Sequence, residues 1–360
     1  MATSVRMGSP SIEIVFKELG IAAITRGDQG IVALILRDAA KIEPLKLRNV
    51  TEIPKELSDY NKDQIAKAFI GYQTTPRFIY VYVQPTEAKD YTDALNYLRS
   101  VPFDWLAIPG IAKADTEAIV TWIKQMRDQE KKRVKAVLPN IKADYEGIVN
   151  FTSTDIKVGD KKYNTADYCA RIAGLIAGTP LRIGCSFAPL PEVDDVLTPP
   201  RDKRDEAVDN GEFIIFNDGE KVKVNRAVNS FTTMVAEKLE SFKKIKIVEA
   251  MDLIFSDIKK TAEDHYLGKY PNTYNNKCLL ITAIQAYFES LEMDQIVALG
   301  STNVSLDLAK QINHLRRKGV DVDKMSVRDL KNADTGSHVY LLAKTKILDA
   351  IEDIHLDIVI

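Results

Sequence analysis

The 360-residue chain has few residues that could do chemistry, and they are poorly arranged for it. Its four histidines, His265, His314, His338 and His355, fall at none of the spacings that bring imidazoles onto one metal ion. Its three cysteines, Cys169, Cys185 and Cys278, are odd in number and far apart, with no C-x-x-C pair, so no disulfide framework is expected and a reducing compartment fits. There is no G-x-x-x-x-G-K-[ST], G-x-G-x-x-G, H-E-x-x-H or G-x-S-x-G. Gly174 and Gly178 sit four apart in a small-residue helix, where close helix packing explains them better than phosphate binding. Of two acid pairs, Asp194-Asp195 lies in a proline-rich run and reads as a solvated loop. Glu352-Asp353 could fix a turn or face a basic neighbour; neither pair alone makes a hydrolase. No catalytic residue, cofactor or metal ligand is therefore expected.

Basic residues are better organised. Residues 305–318 carry Lys310, His314, Arg316, Arg317 and Lys318. Lys310, His314 and Arg317, at i, i+4 and i+7, share a helix face. They either complement the C-terminal end of the helix dipole or form a contact surface for an acidic partner. Lys238, Lys243, Lys244 and Lys246 make a second cluster with the same two readings.

The length implies two or three domains, and 45% hydrophobic with 28% charged residues describes a chain able to bury sizeable cores. A net charge of -2 gives no general pull towards nucleic acid or an anionic membrane. The longest apolar run, within residues 30–36, is far too short to span a bilayer. The opening MATSVRMGSP lacks the basic and apolar regions of a signal peptide, so cytoplasmic synthesis without export is expected.

Strands and helices alternate through the first half. Strands are expected at 19–24, 31–36, 77–83, 103–108, 133–138 and 148–151, and helices at 59–70, 87–99 and 114–129. A mobile connection is expected between 36 and 54. This order predicts a mainly parallel sheet with helices on its faces. A hairpin at 156–162, a helix at 166–177 and a linker at 189–204 follow. A second unit starts near Glu206, with a hairpin turning at Asn217-Asp218-Gly219, helices at 247–261, 276–291 and 305–318, and a closing strand region at 339–343.

Both ends of the chain read as strands without local partners. Near the start, Ile12, Ile14 and Phe16 alternate with Ser11, Glu13 and Val15. At the end, after a short helix at 346–350, Ile354, Leu356 and Ile358 alternate with His355 and Asp357. Such strands pair either with distant strands of their own domain or with another molecule.

The run VNRAVNSFTT at 224–233, followed by FKKI at 242–245, VEAMDLI at 248–254, Asp257-Ile258 and HYLGKYPN at 265–272, closely resembles the C-terminal domain of contractile tail sheath proteins. The closing GSHVYLLAKTKILDAIEDIHLDIVI resembles the same family's last segment, including its Ala350-x-Glu352-Asp353 corner. Length and the short N-terminal arm are most similar to sheaths of PBSX-like prophages and of diffocin-type R-type bacteriocins. The match is strongest over 220–360. The resemblance implies a mixed α/β and α+β subunit: an N-terminal arm at 1–20, an outer α/β domain at 21–205, a tube-proximal C-terminal domain at 206–345 and a C-terminal arm at 346–360. It implies a homo-oligomer of stacked hexameric rings around an inner tail tube protein, with baseplate and tail terminator proteins as partners. No nucleic acid or membrane binding is implied. Such a particle would be assembled in the bacterial cytoplasm and then released. The arms, through Ile12, Ile14, Phe16, Ile354, Leu356 and Ile358, would add strands to neighbours, and the basic helix would touch the tube. The competing reading is an α/β enzyme with a site in the 70–190 unit, supported by the parallel sheet alone. An inner tube protein is a third reading, disfavoured by the inserted α/β unit.

Overall fold

The computed structural model describes residues 23, 24, 27 and 30–359. The arm residues Ile12, Ile14 and Phe16 lie outside them, as does most of the strand expected at 19–24.

Its first half is built on a strand with no polar face. The run IVALIL can be satisfied only if both sides are covered. It forms β1 (Ile31–Asp38), followed by β2 (Leu45–Leu47), α1 (Asp59–Ile70), β3 (Phe78–Pro85), α2 (Thr92–Leu98), β4 (Trp105–Ala107), α3 (Thr116–Asp128), β5 (Lys135–Pro139) and β6 (Ile148–Phe151). A small hairpin, β7 (Ile156–Val158) with β8 (Lys161–Tyr163), precedes α4 (Thr165–Ala177), α5 (Arg201–Asp209) and β9 (Glu212–Phe213). Seven strands join in the order β2-β3-β1-β4-β5-β6-β9. All neighbours run parallel except β2 on β3.

The pleat of β1 sorts its side chains between two cores. Val32, Leu34 and Leu36 pack with Ile65 and Phe69 of α1 and Tyr168 and Ile172 of α4. Ile31, Ala33 and Ile35 pack with Leu98 of α2 and Ile119, Ile123 and Met126 of α3. Ser58 caps α1 and Asn164 caps α4, each through its side-chain oxygen. The glycines of α4 have the packing role expected of them. A Cβ on Gly174 would lie 2.0 Å from the Ala68 carbonyl oxygen, and one on Gly178 would lie 2.1 Å from that of Thr74.

Several expectations need correction. The stretch between 36 and 54 contains the edge strand β2, and α2 begins five residues after the expected 87, where Asp90 accepts the Thr92 N–H at 2.9 Å. The proline-rich run is packed, with Leu190, Val193 and Val196 buried. Its Asp194-Asp195 pair is exposed in a loop, as expected, and also braces the small hairpin: Asp194 accepts the Gly159 N–H at 2.6 Å, and the Asp195 carbonyl accepts the Lys157 N–H at 2.8 Å. The sheet also continues past 205, because β9 pairs with β6 through Asn150↔Glu212 and Phe151↔Phe213.

The hairpin of β10 (Ile215–Asn217) and β11 (Val222–Val224) leads into α6 (Ile245–Thr261), α7 (Tyr274–Met293), β12 (Asn303–Leu306), α8 (Leu308–Arg317), α9 (Val327–Asn332) and β13 (Leu341–Lys344). Leu253 of α6 packs with Ile284, Phe288 and Leu291 of α7 and Val304 of β12 in a third core. Charge joins α6 to the large sheet. Arg127 donates to both oxygens of Asp252, at 2.7 and 2.9 Å. Lys135 reaches Asp252 at 3.1 Å and Glu249 at 2.9 Å. Burial raises the carboxyl pKa of both acids, but Lys135 and Arg127 outweigh it at Asp252, which is held below its ordinary value. Glu249, facing Lys135 alone, stays raised.

Candidate assembly surface

After β13 the chain forms neither the helix expected at 346–350 nor, as far as residue 359, the strand expected from 354. Among the described residues the closing segment has no strand beside it, and alternation alone does not make it a strand. Ile354, Leu356 and Ile358 are 81%, 75% and 76% exposed, and Val359 is 96% exposed.

The arm leaves the body at a charged corner. Arg226, from the VNRAVN run, donates to both oxygens of Asp353 at 2.6 Å and lies 3.6 Å from Glu352. Lys244 pairs with Asp349 and lies 3.5 Å from Glu352. Ser186 donates to Glu352 and accepts the Ala227 N–H at 3.0 Å. Burial would lower the Lys244 pKa, but Asp349 and Glu352 hold it above the ordinary lysine value. Of the two sequence readings of Glu352-Asp353, the structure bears out the second: the acids face basic neighbours, Arg226 and Lys244. The Arg226 partnership could have been sought in the sequence only by pairing motifs more than a hundred residues apart.

A second feature is an unfinished sheet. β12 and β13 pair antiparallel from Asn303↔Lys344 to Leu306↔Leu341, and β13 is continued by Lys346 and Leu348, which bond to Ala298 and Ile296. The outer edge of β12 is turned to α7, where Gln285 accepts the Val304 N–H at 3.2 Å. Among the described residues the outer edge of β13 has no strand beside it. Next to it, residues 345–347 border a groove of about 500 Å³ lined by Met251, Ile254, Phe255 and Ile258 of α6 and Phe288 of α7.

The basic helix is α8, capped by Asp307, which accepts the Lys310 N–H at 2.9 Å. Lys310, Arg316, Arg317 and Lys318 are exposed, and Arg316 is paired with Asp323 at 2.7 Å. His314 departs from the expected surface. It borders the packed stripe of Gln311 and Leu315, and the segment before β13 crosses over it. Its Nδ1 lies 2.9 Å from the Tyr340 hydroxyl and its ring 5.1 Å from His338. Burial, with Lys318, His338 and Arg317 nearby, pushes its pKa down, so at neutral pH it adds no charge to the surface.

The place where a doubly wound sheet would take a ligand keeps a cavity of about 340 Å³ lined by Asp38, Lys41, Glu43, Tyr82 and Glu87, and its carboxylate nearest β1 is already engaged by the chain. At the C-terminal end of β1, where connections diverge to β3 and β4, Asp38 accepts N–H groups from Ala40 at 3.0 Å and Ser58 at 2.9 Å, and the Asn61 amide at 2.7 Å. Burial raises its pKa, but these donors hold it well below the usual carboxylate range. Among the described residues no group of three or more His, Cys, Asp or Glu could hold a metal ion, and no helix is long and apolar enough to cross a membrane.

Comparison with known proteins points the same way. Residues 84–230 match the family model of the phage tail sheath protein central domain, and 237–360 match that of the phage tail sheath C-terminal domain. The tail sheath protein of Clostridium phage phiCD119 is 39% identical over 353 residues, covering 97% of this chain and 98% of that one. Among solved structures, the sheath tail protein of Desulfitobacterium hafniense is 17% identical and superposes with a TM-score of 0.69 over 82% of this chain and 94% of that one. The helical sheath of the anti-feeding prophage in its contracted state is 14% identical, with a TM-score of 0.71 over 98% of this chain and 99% of the other.

Proposed function

The chain belongs to the phage tail sheath protein family, and from that premise we propose that it polymerises as stacked hexameric rings around an inner tube, joined by exchanged strands, and contracts to drive the tube through a cell envelope. The observation carrying this reading is the apolar arm at 354–359, left exposed by the described residues of its own subunit, while none of them places a strand on the outer edge of β13. A neighbour's arm on that edge would find backbone partners in β13 and an apolar bed in the groove over α6. Residues 11–16 are the second candidate donor.

The energetics favour many joints over one. Burying Ile354, Leu356 and Ile358 gains about 1.5–3 kcal/mol each, while ordering each backbone residue costs about 1–2 kcal/mol. A single joint is therefore weak, and the lattice is strong because its joints are numerous.

Lys310, Arg317 and Lys318, with Arg316, would face the tube, and the α/β unit would lie outside. Exposed ion pairs are worth only about 0–1 kcal/mol each, which suits a grip that must release. His314 serves this surface by holding α8 on Tyr340.

The test is electron microscopy of the chain co-expressed with its tube protein. Deleting 354–360 should give a folded subunit that builds no sheath; normal sheaths from the truncated chain would reject the reading. The Lys310→Glu/Arg317→Glu variant should fold but not load onto tubes. A short tag in the β7–β8 turn, where a Cβ on Gly159 would meet nothing within 4 Å, should be tolerated.

A further inference from the structure

Resting on the reading that 354–360 pairs with a neighbour, the inference concerns how the arm is tied to its own body. Among the described residues the last backbone hydrogen bond from the closing segment to the body is the Leu348 N–H to the Ile296 carbonyl, at 2.9 Å. From 349 to 353 the hold is made by side chains: Lys244 on Asp349, Ser186 on Glu352 and Arg226 on Asp353. Asp349 and Asp353 are both exposed, so two of these links are reached by water. Links of this kind break and re-form without unfolding anything, whereas a backbone ladder does not.

We propose that the corner at 349–353 is a releasable catch that gives the joint between subunits two lengths. With the catch closed, residue 354 starts at the body surface and a neighbour sharing the strand is held close. With it open, residues 349–353 become free chain and add about 17 Å of reach at about 3.3–3.6 Å per residue. Two subunits can then separate by that distance while the shared strand stays paired. The body loses no backbone hydrogen bond in the change, and Arg226, Lys244 and Ser186 are left to water.

The geometry supplies a lock with which to test this. A Cβ on Gly184 would lie 3.4 Å from the Ala350 Cβ, close to the roughly 3.5–4.5 Å between Cβ atoms in disulfides. In the full-length chain, with Cys278→Ser to remove the partly exposed thiol, Gly184→Cys/Ala350→Cys shuts the catch on oxidation. Sheaths assembled on tubes from this variant should contract when reduced, and at least about tenfold less often when oxidised, with full recovery on adding reductant. Oxidised sheaths that contract as readily as reduced ones overturn the catch but leave strand exchange standing, since only the 354–360 deletion addresses that. A second measurement does not require assembly. Spin labels at Ile351→Cys and Lys203→Cys in the isolated Cys278→Ser subunit should give one narrow distance at low salt. That distance should broaden near 1 M salt, where the Debye length is about 3 Å, and in Arg226→Glu/Lys244→Glu. A distance that stays narrow in the charge-reversed variant overturns the proposal.

Discussion

Asp252→Asn tests how the two halves of the subunit are held together. Asp252 accepts from Arg127 at 2.7 and 2.9 Å and from Lys135 at 3.1 Å, and the two cations are only 2% and 3% exposed. The amide keeps the shape but removes the charge, leaving Glu249 alone among two buried cations. Removing one partner of a buried pair costs about 3–5 kcal/mol. At about 2.1 cal/mol/K per residue, 360 residues give an unfolding entropy of about 0.76 kcal/mol/K. The melting temperature of a cooperative transition should therefore fall by about 4–7 °C, read by calorimetry on the isolated subunit. Asp323→Asn, which breaks the exposed Arg316 pair, should move it by about 1 °C or less, since such a pair is worth about 0–1 kcal/mol. Arg127→Met/Asp252→Leu, which leaves Lys135 and Glu249 balanced, should recover most of the loss. The reasoning is refuted if Asp252→Asn melts with Asp323→Asn, or if the double replacement melts as low as the single one.

Three further outcomes are expected. Gly174→Ala should destabilise the subunit by about 1–3 kcal/mol in urea titrations, because its methyl would meet the Ala68 carbonyl at 2.0 Å; a neutral result would mean that α1 and α4 can part freely. A thiol reagent should label Cys278 first in the native subunit, since Cys169 and Cys185 are buried and burial pushes the Cys185 thiol up to about 12; prompt labelling of Cys185 would contradict this. Because the folded-state pKa of Asp252 lies below its unfolded value, its contribution is present above about pH 4 and is lost as pH falls through the folded value. Urea midpoints at falling pH should then decline less steeply for Asp252→Asn than for the native chain, and equal slopes would remove Asp252 as a cause.

How far the sequence reveals the fold depends on how local the deciding interactions are. β1 and α4 were legible because an unbroken apolar run and a capped small-residue helix specify themselves. α1 was legible at both its bounds, 59 and 70, with Ser58 and Asp59 both open as its cap until the structure shows Ser58 accepting the Asn61 N–H. β2 was not, since three residues, LKL, become a strand only by lying antiparallel on β3. α5 was hidden in a proline-rich run whose flanking apolar residues are buried by the rest of the domain. The arm shows the converse. Its alternation is the pattern of a strand, but no described residue of the subunit lies beside it to complete one. His314 was misplaced for a related reason. Spacing put it beside Lys310 and Arg317, and only the crossing of Tyr340 turned it inward.

The uncovered arm also bears on when a sheath forms. A free subunit shows its sticky segment to every neighbour in solution, and nothing among the described residues covers it. A donor strand and an acceptor edge on distinct surfaces make a head-to-tail contact, the kind that yields open polymers instead of closed dimers. Since the ordering cost of such a segment offsets the gain from its three buried side chains, a chance pair would soon fall apart. A subunit that lands where several contacts form together stays. On the strand-exchange reading proposed above, growth would be limited by nucleation, and the free protein would accumulate as a supersaturated solution until a template presents a first ring.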